Sequence, residues 1–533
     1  MTIAKQDAAS SGQLNVVAPV CLIVTFIFQI VFTYGILKPS IGFDDANITQ
    51  VYARHLAEGH GYVYNIGGER VEGSTSILWT VMNAAMFLTP YPIMMITVTS
   101  GLLTVGTMAF TGLITRSIGG SVAAVATSYL LFNLFPGFFS WSIWSLMDIS
   151  LWVFAVTVIV WSLVRLDDPK IELFAKVTLV VSSFCLPLVR PEGIALVLGL
   201  LLFCLVFRRI NRKPLSVVIG SGLAAITSLI AVTLWRLSYF GYPVPNTFYA
   251  KTSSNLSGQI QQGFEYISGF VGNPTTVLLF VFSAIGVMII QTRSNQYSAR
   301  FFSILVLYLT IGGFIVYTIL GGDHFGSYRF MIYLYPLSIP LASIAIVNIL
   351  KTNPSSFGKV VFLLTIVGYT GIALKVFRET NGYLRNELRI AEIHLDIGNE
   401  LAELHNLPSL ATIAAGGIKM GYPGMVYDVL GLNWTEMAHS AETSTDVPKN
   451  HGSFSSTIFW KANPEIAFPR PGQCNDEKNS VLDSFQMNLT RHISQTERFA
   501  NRFVAMCNEK VVLYASREVE PLLQQQGYEY YFD

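Results

Sequence analysis

Two adjacent aspartates, Asp44 and Asp45, are the residues of this sequence whose type and position best suit acid–base chemistry. They follow an apolar segment, 16–37, that is long enough to span a bilayer, and no soluble linker separates the segment from the pair. A carboxylate beside hydrocarbon is costly unless it has a task or a partner. A base held there could take the proton from a hydroxyl group as that hydroxyl attacks. The pair therefore marks a candidate active site at a membrane surface.

The residues after the pair predict a short amphipathic helix that ends at Gly59, with apolar side chains at positions 48, 51, 52 and 56. In the alternative interpretation, Asp44 or Asp45 merely caps this helix. Adjacent residues on a helix point about 100° apart, so one carboxylate can cap while the other faces a cavity. Adjacent carboxylates can also ligate a divalent cation. We expect no cofactor beyond that possible ion and no other metal site.

The composition is that of a polytopic membrane protein, with 52% hydrophobic and 13% charged residues among 533 and a mean hydropathy of +0.49. The net charge of +1 gives no reason to expect a nucleic-acid partner. A twelfth apolar segment, Ile77–Leu88, is short and is expected to lie at the interface rather than cross. We predict eleven spans, at 16–37, 92–115, 119–134, 148–165, 171–188, 192–207, 215–237, 274–290, 301–320, 330–350 and 359–376.

Basic loops set the predicted orientation. Cytoplasmic loops carry an excess of Lys and Arg, which assigns loops near positions 208–213, 293–300 and 351–359 to the cytoplasm. Loops 38–91, 135–147, 190–193, 238–273 and 321–329 then lie outside, and so does the tail from residue 377. We therefore predict a transmembrane domain, 1–376, that contains the first outer loop, 38–91, and a soluble extracytoplasmic domain, 377–533. The tail begins with an amphipathic helix pattern and continues with short apolar runs, which favours a small mixed α/β fold.

The outer loops hold most of the unusual polar residues. Arg329 is a candidate phosphate ligand, because a guanidinium recognises phosphate with two hydrogen bonds. Arg190 and Glu192 could instead form a salt bridge that caps a helical hairpin, and Lys251 could simply reach an anionic headgroup. Four tail glycines, Gly416, Gly417, Gly421 and Gly424, faintly resemble a nucleotide loop, but their spacing does not fit. The remaining candidates in these loops are Asp148, Asn246, Asp323 and His324.

Five cysteines occur in the chain. Three of them, Cys21, Cys185 and Cys204, lie in apolar segments, where a cysteine is usually a packing residue. Cys474 and Cys507 lie in the tail, where a disulfide and two free thiols are both open interpretations.

Several stretches together resemble a known family. The segment GFDDANITQVYARHLAEGHGYVYNIGGERVEGSTSILW, 42–79, is similar to the first outer loop of lipid-linked glycosyltransferases of the GT-C fold. The resemblance is greatest to the branch of arabinofuranosyltransferases that use polyprenyl-phosphate arabinose. LVRPEG at 188–193, YPVPNTFYAK at 242–251 and GGDHFGSYRF at 321–330 look like later motifs of that branch, and YDVLGLNWTEMAHS at 427–440 and FWKANPE at 459–465 look like its outer domain.

The resemblance implies an α-helical polytopic enzyme of the bacterial inner membrane that moves a furanose from a polyprenyl-phosphate donor to a hydroxyl of an extracytoplasmic glycan or pilin-like protein. It implies Asp44 as the catalytic carboxylate, with Asp45 beside it and Asp148 as a second acidic residue. We expect a monomer whose donor chain contacts membrane lipid. The residues expected to bind the donor sugar or phosphate are Arg54, His60, Glu72, Arg190, Glu192, Asn246, Tyr249, Lys251, Asp323, His324 and Arg329.

Three alternatives follow from the same residues. The first is the same fold acting on another lipid-linked sugar, such as mannose or an aminoarabinose. The second is a transporter or lipid flippase, which predicts charges deep within the spans and an internal duplication. The third is a non-catalytic assembly subunit, which would tolerate the loss of both Asp44 and Asp45.

Overall fold

The membrane part of the chain is helical, because only intrasegment hydrogen bonds satisfy the backbone in lipid. The computed structural model describes residues 2–251, 256–323, 325–352, 355–440, 454–475 and 481–531. Each of the eleven predicted spans corresponds to a helix. The helices up to residue 380 are α1 Thr2–Leu37, α2 Asp44–Ala57, α3 Ile77–Phe87, α4 Pro92–Ser117, α5 Val122–Leu131, α6 Pro136–Phe139, α7 Ile149–Arg165, α8 Glu172–Val189, α9 Gly193–Ile210, α10 Ser216–Tyr239, α11 Asn246–Lys251, α12 Leu256–Gly272, α13 Pro274–Arg293, α14 Tyr297–Ile319, α15 Leu334–Thr352 and α16 Ser356–Thr380.

The number of spans is lower than the sequence predicts. Among the described residues, nine helices are long and apolar enough to cross a membrane. The predicted span 119–134 instead bends by 81° into Pro136–Trp144, and the count is ten if this bent pair is one span. Helix α7 has 17 mostly buried residues and a length of about 25 Å, less than the ~30 Å of a hydrocarbon core. Helix α3, with 11 residues, is also too short to cross.

Loops that the orientation prediction assigns to one side meet at one end of the helix bundle. Arg208 contacts Asp167 at 3.0 and 3.2 Å, and the Gln296 side chain donates to the Ser117 carbonyl at 2.8 Å. These contacts join the loops that precede α5, α8, α10 and α14. Lys213 also lies 5.3 Å from the centre of the Tyr297 ring, so these four loops lie together at the end where the basic residues gather.

The opposite end of the bundle, hereafter the polar end, is formed by loops 38–91, 135–147, 190–193, 238–251 and 321–329. The Phe43 amide donates to the Ser145 carbonyl at 3.1 Å, and the Trp79 indole donates to the Leu146 carbonyl at 3.1 Å. Gly42 adopts a φ of +85°, and a Cβ there would lie 2.7 Å from the Ser145 carbonyl oxygen. The first loop is therefore fixed against the segment that precedes α7.

The tail folds as the expected mixed domain, in which helices flank a single sheet. Its six strands are ordered β2-β1-β3-β5-β4-β6; β1 is parallel to β2 and β3, and the other pairs are antiparallel. The strands are β1 Leu410–Thr412, β2 Val426–Asp428, β3 Ile466–Pro471, β4 Phe503–Cys507, β5 Val511–Ser516 and β6 Glu529–Tyr530. The helices are α17 Gly382–Leu401, α18 Gly416–Gly421, α19 Thr435–Ala438, α20 Ser456–Ala462, α21 Ser484–Leu489, α22 Glu497–Arg502 and α23 Glu520–Gln525.

The tail cysteines form a disulfide, which decides between the two interpretations of the sequence. Cys474 is bonded to Cys507, the last residue of β4. The two cysteines are 33 positions apart in the sequence. The loop that the bond closes includes the segment 476–480, which lies outside the described residues. Cys21, Cys185 and Cys204 are free, as the sequence predicts.

One buried ion pair ties the Gly-rich part of the first loop to the bundle. Glu72 accepts hydrogen bonds of 2.8 Å from both Nε and Nη2 of Arg236, which is in α10. Both side chains are almost fully buried, at 2% and 4% exposure. Burial raises the pKa of Glu72, and the Arg236 guanidinium opposes that rise. The contact gives Glu72, a predicted donor-binding residue, a buried structural partner.

Removing one member of this pair should destabilise the protein, because the other charge stays buried without a partner. We expect Glu72→Gln to lower the free energy of unfolding by about 3–5 kcal/mol. Thermal unfolding in detergent measures the loss, and a double variant, Glu72→Gln with Arg236→Met, should recover part of it. Unchanged thermal stability of Glu72→Gln would contradict the assignment of this pair as a structural anchor.

Candidate active site

Helix α2 places the aspartate pair at the polar end. Asp44 is the first residue of the helix, and neither aspartate caps it, since the N-cap residue is Phe43 and no side-chain cap is present. The Asn47 side chain donates to the Ile41 carbonyl at 2.7 Å and fixes the entry into the helix. Gly59 ends the helix with a φ of +84°, as predicted. The capping interpretation of the pair is therefore wrong.

Asp44 is held by the tail. Its Oδ1 accepts a hydrogen bond from the Gly417 amide at 2.7 Å, and its Oδ2 accepts one from the Gly416 amide at 3.0 Å. Burial raises the pKa of Asp44, and His394 and the two amides partly offset this rise. The carboxylate is thus oriented by backbone groups from the beginning of α18 while each oxygen keeps further acceptor capacity.

Asp45 faces Arg329. The Oδ2 of Asp45 lies 4.0 Å from Nη1 of Arg329, and the Asp45 side chain is 29% exposed. Arg329 is also paired with Asp323, whose side chain is fully buried, and the Arg329 guanidinium lies 4.2 Å from the centre of the Phe325 ring. The arginine therefore brings the last predicted outer loop into contact with the aspartate pair.

The turn that carries Arg329 has an uncommon backbone conformation. Ser327 and Tyr328 have φ values of +62° and +52°, in the left-handed region that residues with a Cβ seldom adopt. Such conformations persist only where the surroundings determine them, and they concentrate at functional sites.

A further carboxyl group, Glu387 in α17, belongs to the same cluster and was not among the sequence candidates. Burial, then the charges of Asp45 and Asp44, raise the pKa of Glu387 to about 7. The raised pKa makes Glu387 a second possible proton carrier near neutral pH. Its only sequence signal was its place in an amphipathic helix, which predicts a solvated charge.

Asp148 and Arg190 form a second pair at the polar end. Nε and Nη2 of Arg190 donate to the Asp148 carboxylate at 2.5 and 3.0 Å, and both residues are buried. Glu192 lies farther from Arg190, at 3.7 Å. The hairpin salt bridge between Arg190 and Glu192 is therefore secondary to a bidentate contact with Asp148.

Arg54 and Asn246 join the first loop and the fourth predicted outer loop to the tail. Arg54 donates to the Met420 carbonyl at 2.9 Å, and Asn246 donates to the Gly431 carbonyl at 2.7 Å. Burial lowers the pKa of Arg54. Both side chains therefore have structural partners, which sequence motifs alone did not indicate.

The other candidates lie elsewhere. The Tyr249 ring contacts the His439 ring with centroids 4.0 Å apart and planes tilted by 33°, and Lys251 is half-buried at the end of α11. His60 follows the end of α2 away from Asp44 and is exposed beside Glu58. His324 lies outside the described residues. None of these contacts places Tyr249, Lys251 or His60 beside the aspartate pair.

A metal ion would need more ligands than the pair supplies. In the part of the chain that the structure describes, no group of three or more His, Cys, Asp or Glu side chains could hold a metal ion. Both oxygens of Asp44 already accept amide hydrogen bonds. The possible ion at Asp44 and Asp45 thus gains no additional ligands from this arrangement.

Solved structures show which fold this is. No protein-family model and no curated protein matches the sequence. ArnT from Cupriavidus metallidurans, bound to undecaprenyl phosphate, matches with a TM-score of 0.56 and 13% identity over 95% of this chain and 98% of ArnT. The archaeal oligosaccharyltransferase AglB from Archaeoglobus fulgidus, in complex with an inhibitory peptide and a dolichol-phosphate, matches with a TM-score of 0.54 and 10% identity over 94% of this chain and 74% of AglB. The predicted GT-C fold, a helical membrane bundle with a small C-terminal sheet domain, is confirmed.

The cluster should make stability depend on pH. The pKa of Glu387 rises from 4.5 to about 7 on folding, so its contribution to stability is complete below pH 4.5 and is lost as the pH rises through 7. We expect the melting temperature of Glu387→Gln, relative to that of the wild type, to increase as the pH is raised from 5 to 8. Melting curves across this range measure the difference, and parallel curves would show that Glu387 does not titrate there.

Proposed function

We propose that the protein is a glycosyltransferase that uses a polyprenyl-phosphate sugar, with D-arabinofuranose as the sugar. The observation that carries the proposal is the convergence of Asp44, Asp45, Arg329 and Glu387 at one end of a GT-C bundle. Two proteins with similar structures hold lipid phosphates, undecaprenyl phosphate in ArnT and a dolichol-phosphate in AglB. The sequence resemblance of loop 42–79 supports arabinofuranose, and a transferase for another lipid-linked sugar is compatible with the same fold.

The proposed reaction is a substitution at the anomeric carbon. The acceptor oxygen bonds to that carbon, the bond from carbon to phosphate oxygen breaks, and the lipid phosphate leaves with the bonding electrons. The acceptor hydroxyl proton passes to a carboxylate, for which Asp44 is the proposed base and Asp45 the neighbour that orients the acceptor. Glu387 is protonated below about pH 7 and could return a proton to the cluster.

Arg329 is the proposed partner of the leaving phosphate, because cations placed where charge develops stabilise the transition state. Its existing contacts with Asp323 and Asp45 reduce its net positive field. Arg190 is similarly neutralised by Asp148. The donor phosphate must therefore compete with a carboxylate for either arginine, and Lys251 is proposed as an additional cation.

The acceptor is proposed to be a hydroxyl group of an extracytoplasmic glycan or protein, chosen with the help of the tail. The disulfide between Cys474 and Cys507 supports a location of the tail outside the cytoplasm, because disulfides persist in oxidising compartments. The proposed location is the bacterial inner membrane, with residues 377–533 forming the outer domain and the chain acting as a monomer.

Replacing either aspartate should abolish turnover without unfolding the protein. We expect Asp44→Asn and Asp45→Asn to lower transfer by about 10²–10⁴-fold, the range typical of a lost acid–base group. Mass spectrometry measures product formed from a synthetic polyprenyl-phosphate arabinofuranose and an alkyl glycoside. Asp396→Asn, on the exposed side of α17, is the matched control and should retain activity. Near wild-type turnover of both Asp44→Asn and Asp45→Asn would contradict the catalytic role of the pair, whereas a wild-type protein without turnover would favour a non-catalytic subunit.

The compartment of the tail is tested by its thiols. We expect a maleimide added to denatured, unreduced protein to label the three free cysteines, and to label all five after reduction. The maleimide is added to intact cells and again at lysis under denaturing conditions, so that no thiol oxidises before it is labelled, and intact-protein mass spectrometry counts the labels. Five labels without reductant would mean that the tail cysteines are thiols in the cell and would argue for a cytoplasmic tail.

A further inference from the structure

The backbone amides of the tail residues Gly416 and Gly417 donate hydrogen bonds to Asp44, the proposed base. We propose that the backbone amides of Gly416 and Gly417 position Asp44 for proton abstraction, so that the tail completes the active site. The inference rests on the proposed function, and it makes the two glycines positioning residues rather than parts of a nucleotide loop.

The contact is close enough to require glycine. A Cβ on Gly416 would lie 1.9 Å from the backbone oxygen of Asp44, and a Cβ on Gly417 would lie 2.3 Å from the Ala391 carbonyl oxygen in α17. Real Cβ atoms do not approach other atoms so closely, so any larger residue must separate α18 from α2 or from α17. The two amides reach the carboxylate only because neither residue has a side chain.

The amide-bearing turn is itself held by the first loop. Tyr64 donates its hydroxyl hydrogen to the Ala415 carbonyl at 2.6 Å, just before the two glycines. Arg54 donates to the Met420 carbonyl at the other end of α18. Asn65 exchanges two hydrogen bonds with Val426, at 2.9 and 3.0 Å. The first two contacts hold both ends of α18 against α2 and the segment that follows it, and the third holds the adjacent strand β2.

The amides have a chemical consequence as well as a geometric one. A desolvated carboxylate tends to take up a proton, and hydrogen bonds from amides favour its charged form. In Asp44 they act against the effect of burial. Each carboxylate oxygen accepts one amide bond and retains a second lone pair. That lone pair can receive the acceptor proton, since the amides occupy a different direction.

Transfer assays on glycine variants test the positioning. We expect Gly416→Ala to lower kcat by about 10–100-fold, the cost of misplacing a reacting group by about 1 Å, with little change in KM for the donor. The probe is the synthetic polyprenyl-phosphate arabinofuranose with an alkyl glycoside acceptor.

Gly421→Ala is the matched control. Its Cβ would meet the Leu395 carbonyl oxygen at 2.6 Å, so it strains the same short helix against α17 without touching Asp44. We expect it to keep kcat within about 3-fold once rates are normalised to folded protein. Equal kcat values for Gly416→Ala and the wild type would overturn the inference, as would an equal loss in Gly421→Ala.

Amide hydrogen exchange tests the contact without any activity. We expect Asp44→Ala to speed exchange in the peptide 410–424, because the Gly416 and Gly417 amides lose their acceptor, whereas Asp45→Ala leaves it unchanged. Unchanged exchange in Asp44→Ala would overturn the contact itself. Wild-type protein that transfers no sugar from lipid-phosphate donors overturns the proposed function and the positioning role together, while exchange still decides whether the tail holds Asp44.

Discussion

The desolvation of charge at the polar end is the constraint on which the rest of the structure depends. A buried charge is tolerated only when it is paired and hydrogen-bonded. Glu72 meets this demand with Arg236, Asp148 with Arg190, and Asp323 with Arg329. The first two pairs join segments that are distant in sequence, and the third lies within loop 321–329, where Arg329 also reaches Asp45 of the first loop.

Asp44 meets the same demand differently. It is satisfied by two backbone amides, which bring no counter-charge. A carboxylate held in this way is oriented without a neutralising cation beside it, and burial raises its pKa. Asp44 is therefore bound by backbone amides, whereas Asp148 and Glu72 are each bound by an arginine. It also makes the sheet domain part of the site, because the amides belong to its first helix after β1.

The cluster around the aspartates is rich in acid. Asp45 and Asp323 both contact Arg329, and the charges of Asp45, Asp44 and Arg329 act on Glu387. Like charges this close favour protonation of one member, and the raised pKa of Glu387 follows from burial and from this repulsion. A lipid-borne phosphate would add further negative charge. The cluster is therefore suited to accept a proton more than to attract an anion.

The sequence by itself determined the elements of this protein and the end of the bundle at which its polar loops gather. Hydropathy located the long apolar helices, although it left α12 inside a predicted loop. The charge of the loops sorted them, and Gly59 ended α2 where the pattern predicts, because these signals are local in the chain. The sequence overestimated the number of spans, since composition does not show that α7 is short and buried or that the segment containing α5 bends.

Tertiary structure alone decided which groups the polar side chains contact. Asp44 meets a glycine 372 residues away, Asp148 meets Arg190, and Glu387 turns from an apparent surface charge into a half-buried one beside the aspartate pair. No local pattern encodes these pairings, because a side chain of a given type can satisfy its charge with any complementary group that the packed helices bring within reach.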